Sequence, residues 1–247
     1  LAQRGFQMYC YGTHLSTFLR SQGYHTCLFG VQHEAPDAAM LGYDYRFDED
    51  CHRSEFIRRD TAACTRAADY LLHYQEEKPF FMSVGFINTH RRYPEAPADF
   101  VNPDYVKPPM TIPDTKENRK DMADFMYSAR IADDSVGVVL DALKRSGRED
   151  DTIVIFTTDH GIAFPFMKCS CYDTGIGVTL IMKFAGNQAA GKVSDSLISQ
   201  IDVYPTLCDL LEIEKPDYLQ GRSFAGLFDN PELEINEEVF AEVTYHA

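Results

Sequence analysis

Phe80-Phe81-Met82-Ser83-Val84-Gly85-Phe86-Ile87 is an almost unbroken apolar run, opened by Lys78-Pro79 and closed by Asn88. A strand with one wet face alternates apolar and polar residues. A continuous run predicts burial on both faces, as in a parallel sheet between helices. Upstream, Ser54 to Gln75 is predicted as a long helix, with Phe56, Ala63, Ala67, Tyr70 and Leu71 on one side. Before it, Tyr24 to Gly30 reads as a strand, fed by a short helix over His14–Ser21 that Gly23 ends. Downstream, residues 94–118 hold Pro94, Pro97, Pro103, Pro108, Pro109 and Pro113 and read as an ordered surface excursion. The longest predicted helix follows, Glu117 to Arg145. Met122, Phe125, Met126, Ala129, Ala132, Val136, Val139, Leu140 and Leu143 form its expected buried stripe. Asp151–Thr158 and Val178–Lys183 are a third and a fourth predicted buried strand, and Pro205–Leu211 a helix with its proline in the first turn.

Strands alternating with helices imply an α/β fold, a doubly wound and mostly parallel sheet with helices on both faces. Residues 1–211 are read as its core, and 212–247, where the pattern turns irregular, as a linker and the start of a smaller subdomain. Glu238 to His246 alternates like a closing strand. The opening Leu-Ala-Gln-Arg-Gly-Phe has no initiator Met and no signal-peptide pattern, which reads as a cut inside a longer protein.

The 247 residues are 45% hydrophobic and 25% charged, an ordinary soluble composition, and no apolar run approaches a membrane span. A formal charge of −15 argues against nucleic acid as a partner, because phosphate binding needs a basic face. It leaves room for a small anion in a locally positive pocket. Seven cysteines are an odd number and none has C-x-x-C spacing; they read as small hydrophobes.

In open α/β sheets ligands sit beyond the carboxyl ends of the strands. The first strand is followed by His33, the second by Asn88, His90, Arg91 and Arg92, and the third by Asp159, His160 and Gly161. Asp159 offers a hard carboxylate oxygen and His160 an imidazole, a pair suited to a divalent cation. His33 and His90 titrate near neutrality and can move protons. Lys168, Arg91 and Arg92 can hold a tetrahedral oxyanion. Gly186-Asn-Gln-Ala-Ala-Gly191-Lys192-Val193 nearly spells a P-loop, but Val193 stands where a hydroxyl must meet magnesium.

Several segments together resemble the sulfatase family of the alkaline-phosphatase superfamily. Gly23-Tyr24-His25-Thr26 leading to Gly30-Val31-Gln32-His33 is similar to G-Y-x-T-x-x-x-G-K-x-H, and Pro79 through His90 to P-F-F-x-x-x-x-F-x-x-x-H. Asp133-Asp134-Ser-Val-Gly137, Thr152 through Gly161, Lys168 through Ile176, Asp202 through Leu207 and Leu219 through Ser223 continue the likeness in the family's order. Gly161-Ile-Ala-Phe-Pro165 and Glu242-Val-Thr244 look most like the branch that contains heparan N-sulfatase. The resemblance implies hydrolysis of sulfate esters or sulfamates on a sulfated sugar. It implies calcium held by Asp159 and His160, a formylglycine nucleophile served by His33, and sulfate and leaving-group contacts from His90 and Lys168. A phosphoryl hydrolase of the same superfamily and an inactive sulfated-glycan binder are the alternatives.

Three features depart from the family pattern. No Cys or Ser of this chain sits in C/S-x-P/A-x-R, so the nucleophile is expected upstream of Leu1, together with an acidic pair for the metal. Val31 replaces the usual Lys of G-K-x-H, and Gly177 and Thr179 stand where R and P are common.

Overall fold

In the computed structural model the described residues are 7–48 and 56–243. In chain order they form α1 (Leu15–Ser21), β1 (His25–Gly30), β2 (Tyr45–Phe47), α2 (Phe56–His73), β3 (Phe80–Gly85), α3 (Lys116–Arg145), β4 (Val154–Thr157), α4 (Asp173–Ile176), β5 (Leu180–Lys183) and α5 (Val203–Leu210), with short 3-10 turns between them. The predicted start of the second helix at Ser54 lies outside the described residues.

The chain divides into two compact units. The first takes residues 1–149 and 160–176, the second 150–159 and 177–247. In the first unit β1 is the middle strand of a parallel sheet ordered β2-β1-β3. Its register with β3 runs from His25 opposite Phe80 to Gly30 opposite Gly85. Alternate residues of β1 bury against opposite layers. Cys27 and Phe29 pack on Ala67 and Tyr70 of α2, with Val139 of α3 behind them. Leu28 packs on Ala35, Ala38, Leu41 and Tyr43. This two-sided cover is why β1 shows no polar alternation. Burying one side chain such as Phe29 contributes roughly 2–3 kcal/mol before entropy is counted.

Small residues let the layers approach. A Cβ on Gly85 would overlap the carbonyl oxygen of Val31, and one on Gly30 the carbonyl of Gly85 and then Ala63 of α2. Gly30 also sits at φ +79°, a left-handed value that other residues adopt at a cost. The backbones of both strands therefore turn away from the sheet at one tight point.

The fold is α/β, a parallel sheet layered with helices, but several expectations need correction. β3 is half-buried along its length, because among the described residues it pairs only with β1. β4 and β5 are antiparallel, Val154 opposite Lys183, and Phe156 and Ile181 are exposed. Each has only the other as a neighbour among the described residues, so neither is enclosed. On α3 the buried residues are Ala123, Ser128, Ser135, Ala142 and Leu143, whereas Met126 and Leu140 of the expected stripe are exposed. Residues 238–243 form no strand, and the rest of that predicted element lies outside the described residues.

In the second unit a buried Asp202, 2% exposed, organises the segments around α5. Its carboxylate accepts from the Ser199 N–H (2.8 Å), the Arg222 N–H (2.7 Å) and the Asn236 amide (3.0 Å). Thr206 donates to the Asp202 carbonyl (2.6 Å) and accepts from the Phe224 N–H (2.9 Å). Two segments that carry the family resemblance, Asp202–Leu207 and Leu219–Ser223, are thus hydrogen-bonded to each other. Pro205 lies in the first turn of α5, as expected, and is fully buried.

Candidate active site

Parallel neighbours leave a sheet at the same end. The pairing of Gly30 with Gly85 therefore sends the segments carrying His33 and His90 out of one carboxyl edge of the first unit. The Gln32 side chain shapes the first segment: its oxygen accepts from the Glu34 and Ala35 N–H groups (2.8 and 2.9 Å), and its amide donates to the Ala35 carbonyl (2.9 Å). His33 projects from this small cradle and is exposed.

The second segment is a turn closed by the His90 N–H donating to the Ile87 carbonyl at 2.6 Å. The His90 ring bonds through Nδ1 to the Arg91 carbonyl. A carbonyl only accepts, so Nδ1 carries a proton and the lone pair of the neutral ring sits on Nε2. Beneath the turn lies Asp60 of α2, which sequence reading passed over. It is 1% exposed and accepts from the Ile87 N–H (2.8 Å), the Asn88 N–H (2.9 Å) and the Asn88 side-chain amide (2.7 Å). Ser128 of α3 donates to the Asn88 side-chain oxygen (2.9 Å). Burial pushes the Asp60 carboxyl above the usual aspartate range, the three donors opposing it less strongly. A signal existed: Asp60 falls three residues before Ala63 and seven before Ala67, on the sheet-facing stripe of α2, where an acid is out of place.

Arg91 does not stand open to an anion in this structure. Its guanidinium forks onto Asp121 of α3 (2.9 and 2.6 Å), its Nε donates to the Ala163 carbonyl (2.9 Å), and its Cζ lies over the Tyr93 and Phe164 rings, 4.6 and 5.0 Å from their centroids. All three nitrogens are engaged, and the side chain ties the His90 segment to the one that begins at His160. Tyr93 adds a long bond to the same carbonyl, 3.4 Å. Arg92 is exposed.

In the His160 segment the imidazole Nδ1 meets the Gly161 carbonyl at 2.7 Å, which again leaves the neutral lone pair on Nε2, the form a metal takes. Gly161 is pinned by its N–H to the Gly175 carbonyl (2.9 Å), and a side chain there would overlap Thr174. Lys168 is half-buried, its N–H on the Ile162 carbonyl (3.1 Å). The His33, His90 and His160–Lys168 segments all belong to the first unit, where Arg91 links the second of them to the third, whereas Asp159 belongs to the second unit. Among the described residues no group of three or more His, Cys, Asp or Glu side chains could hold a metal ion.

A parallel sheet layered with helices, with histidine-bearing segments leaving its carboxyl edge, defines an α/β protein of the open-sheet class. The family model described as sulfatase matches residues 11–213, and the chain belongs to the sulfatase family. It is 27% identical over 228 residues to the human N-sulphoglucosamine sulphohydrolase, covering 83% of this chain and 45% of that one. It is 29% identical over 175 residues to an endo-4-O-sulfatase of Bacteroides thetaiotaomicron, covering 64% of this chain and 34% of that one. The solved structure of BT1596, a 2-O GAG sulfatase, superposes with a TM-score of 0.67 at 23% identity, over 92% of this chain and 57% of that one; the likeness shows a shared fold. The chain spans less than half the length of either of these curated relatives.

Proposed function

We propose that the full-length protein hydrolyses sulfate esters or sulfamates on a sulfated sugar. The observation that carries this reading is the parallel register of β1 and β3, which sends the His33 and His90 segments from one edge. The Arg91 clamp, which fastens the second of them to the segment of His160 and Lys168, supports it further. The human relative is named for a sulfamate-bearing sugar, and the Bacteroides relative for an O-sulfate.

In this proposal Lys168 neutralises the non-bridging sulfate oxygens and Arg92 supplements it from the rim. His90, held through Nδ1, donates a proton from Nε2 of its charged form to the departing oxygen or nitrogen. His33 moves the proton of the nucleophile. A calcium ion, to which Asp159 and His160 would contribute, would offset sulfate charge, and a formylglycine from outside these residues would supply the attacking oxygen. Val31, in place of a lysine, removes one cation from beside that nucleophile.

The test is sulfate release by the full-length protein from O-sulfated and N-sulfated glucosamine. His90→Ala is expected to lower turnover about 10²–10⁴-fold, the loss growing as the leaving group becomes more basic. Unchanged turnover on an unactivated sugar sulfate would exclude His90 as the acid. Asp159→Asn is expected to weaken calcium retention through gel filtration, measured by elemental analysis; full occupancy would remove Asp159 from the ligand set. A wild-type protein that binds sulfated glycan and releases no sulfate would favour the binding reading.

A further inference from the structure

Asp60 presents an unusual economy of contacts. It is buried on a helix whose neighbouring sheet-facing positions are Ala63 and Ala67, both 2% exposed or less. An apolar residue would fill that place at no electrostatic cost, and a buried carboxylate is expensive unless its acceptors are used. They are used on one short stretch. Two successive backbone N–H groups, of Ile87 and Asn88, and the Asn88 side-chain amide converge on it within 2.9 Å. Asn88 then reaches across to Ser128 of α3, which is fully buried. Ile87 is the residue whose carbonyl receives the His90 N–H. The carboxylate therefore grips the first two residues of the four-residue turn whose last residue is His90.

Fixing two consecutive N–H vectors fixes the plane in which the chain leaves β3. A single hydrogen bond would leave the turn free to rotate about it. Side chains at a sheet edge gain their precision this way, from a buried partner rather than from their own packing.

We infer that Asp60 is a positioning residue for His90, acting through the Ile87 and Asn88 amides and braced by Ser128. The inference rests on the reading of His90 as the proton donor, and it concerns the geometry of the turn, not contact with substrate.

The variant to make in the full-length protein is Asp60→Asn, which keeps size and shape but turns an NH2 group toward the donors. The expected result is a fall in kcat for sulfate release of about 10–100-fold, with KM changed by less than about threefold and a folded, cooperatively melting protein. Ser128→Ala, which removes only the brace on Asn88, is expected to lower kcat in the same sense by a smaller factor. If Asp60 works through His90, the two effects do not multiply: Asp60→Asn in the His90→Ala background costs less than about twofold. Wild-type kcat in Asp60→Asn, or an undiminished loss in the double variant, overturns the assignment. Amide hydrogen exchange supplies an arm that needs no turnover. The Ile87, Asn88 and His90 amides are expected to exchange faster in Asp60→Asn while those of β1 keep their protection. Unchanged exchange across 87–90 overturns the positioning role. A wild-type protein that releases no sulfate refutes the enzymatic reading, and this arm still decides the structural claim.

Discussion

A guanidinium just past a strand end can grip an anion or another stretch of its own chain, and Arg91 is occupied with the second task. Its partners, Asp121 and Ala163, lie 30 and 72 positions away in sequence, a separation that local pattern does not register. The placement of His33, His90 and His160 just beyond predicted strands was easier to read, since β1, β3 and β4 all fall inside the predicted runs. The reading of the cysteines as small hydrophobes fits half of those described: Cys27, Cys64 and Cys208 are buried, whereas Cys10, Cys169 and Cys171 are exposed. Burial pushes the Cys27 thiol up to about 11 and the Cys64 thiol to about 12, and raises Cys208. Thiolate is the reactive form, and it is scarce below such values. Alkylation of the native protein near pH 8, read by peptide mass, is therefore expected at Cys10, Cys169 and Cys171. Labelling of the three buried thiols is expected only after unfolding, and their modification at the same rate in the native state would contradict this packing.

At the scale of elements, the point where β1 and β3 turn off the sheet is the most tightly specified. Gly85→Ala sets a methyl group against the Val31 carbonyl, a backbone atom that no rotamer change relieves. The expected loss is about 3 kcal/mol of unfolding free energy, measured by denaturant titration. A change below about 0.5 kcal/mol would mean that this crossing is looser than described. The helices and strands themselves were largely legible: α3 begins one residue before its predicted start, and β1 and β3 fall inside the predicted runs. Strand partners were not legible. Asp151–Thr158 and Val178–Lys183 carry the same apolar signature as Phe80–Ile87, yet they pair antiparallel with exposed side chains. Apolar content reports that a segment prefers a sheet, and says little about direction or enclosure. Nor did periodicity reveal β2, three residues long, or the short α4.

For the whole molecule, two compact units share the residues that sequence reading had gathered. All but Asp159 of the predicted set fall in the first. The second has its own organiser in Asp202, and Asp202→Ala is expected to cost about 1–3 kcal/mol, since it removes the acceptor of three part-buried donors at once. Hydrogen exchange would localise that loss: amides of 199–224 should exchange faster while those of β1 and β3 keep their protection. Equal loosening in both units would show that they unfold as one. With a formal charge of −15, the proposed anion site requires a locally positive pocket.

The pairing of His25 with Phe80 also bears on how the molecule is made. The strands that launch the two histidine segments are remote in the chain, with β2 and α2 between them. Their meeting requires closure of a long loop before any contact rewards it. Refolding of such non-local parallel sheets is slow, about milliseconds to seconds or longer, so this edge is expected to form late. Before that pairing forms, the apolar Phe80–Ile87 run lacks its strand partner, and it is expected to be an aggregation-prone segment of the unfolded chain.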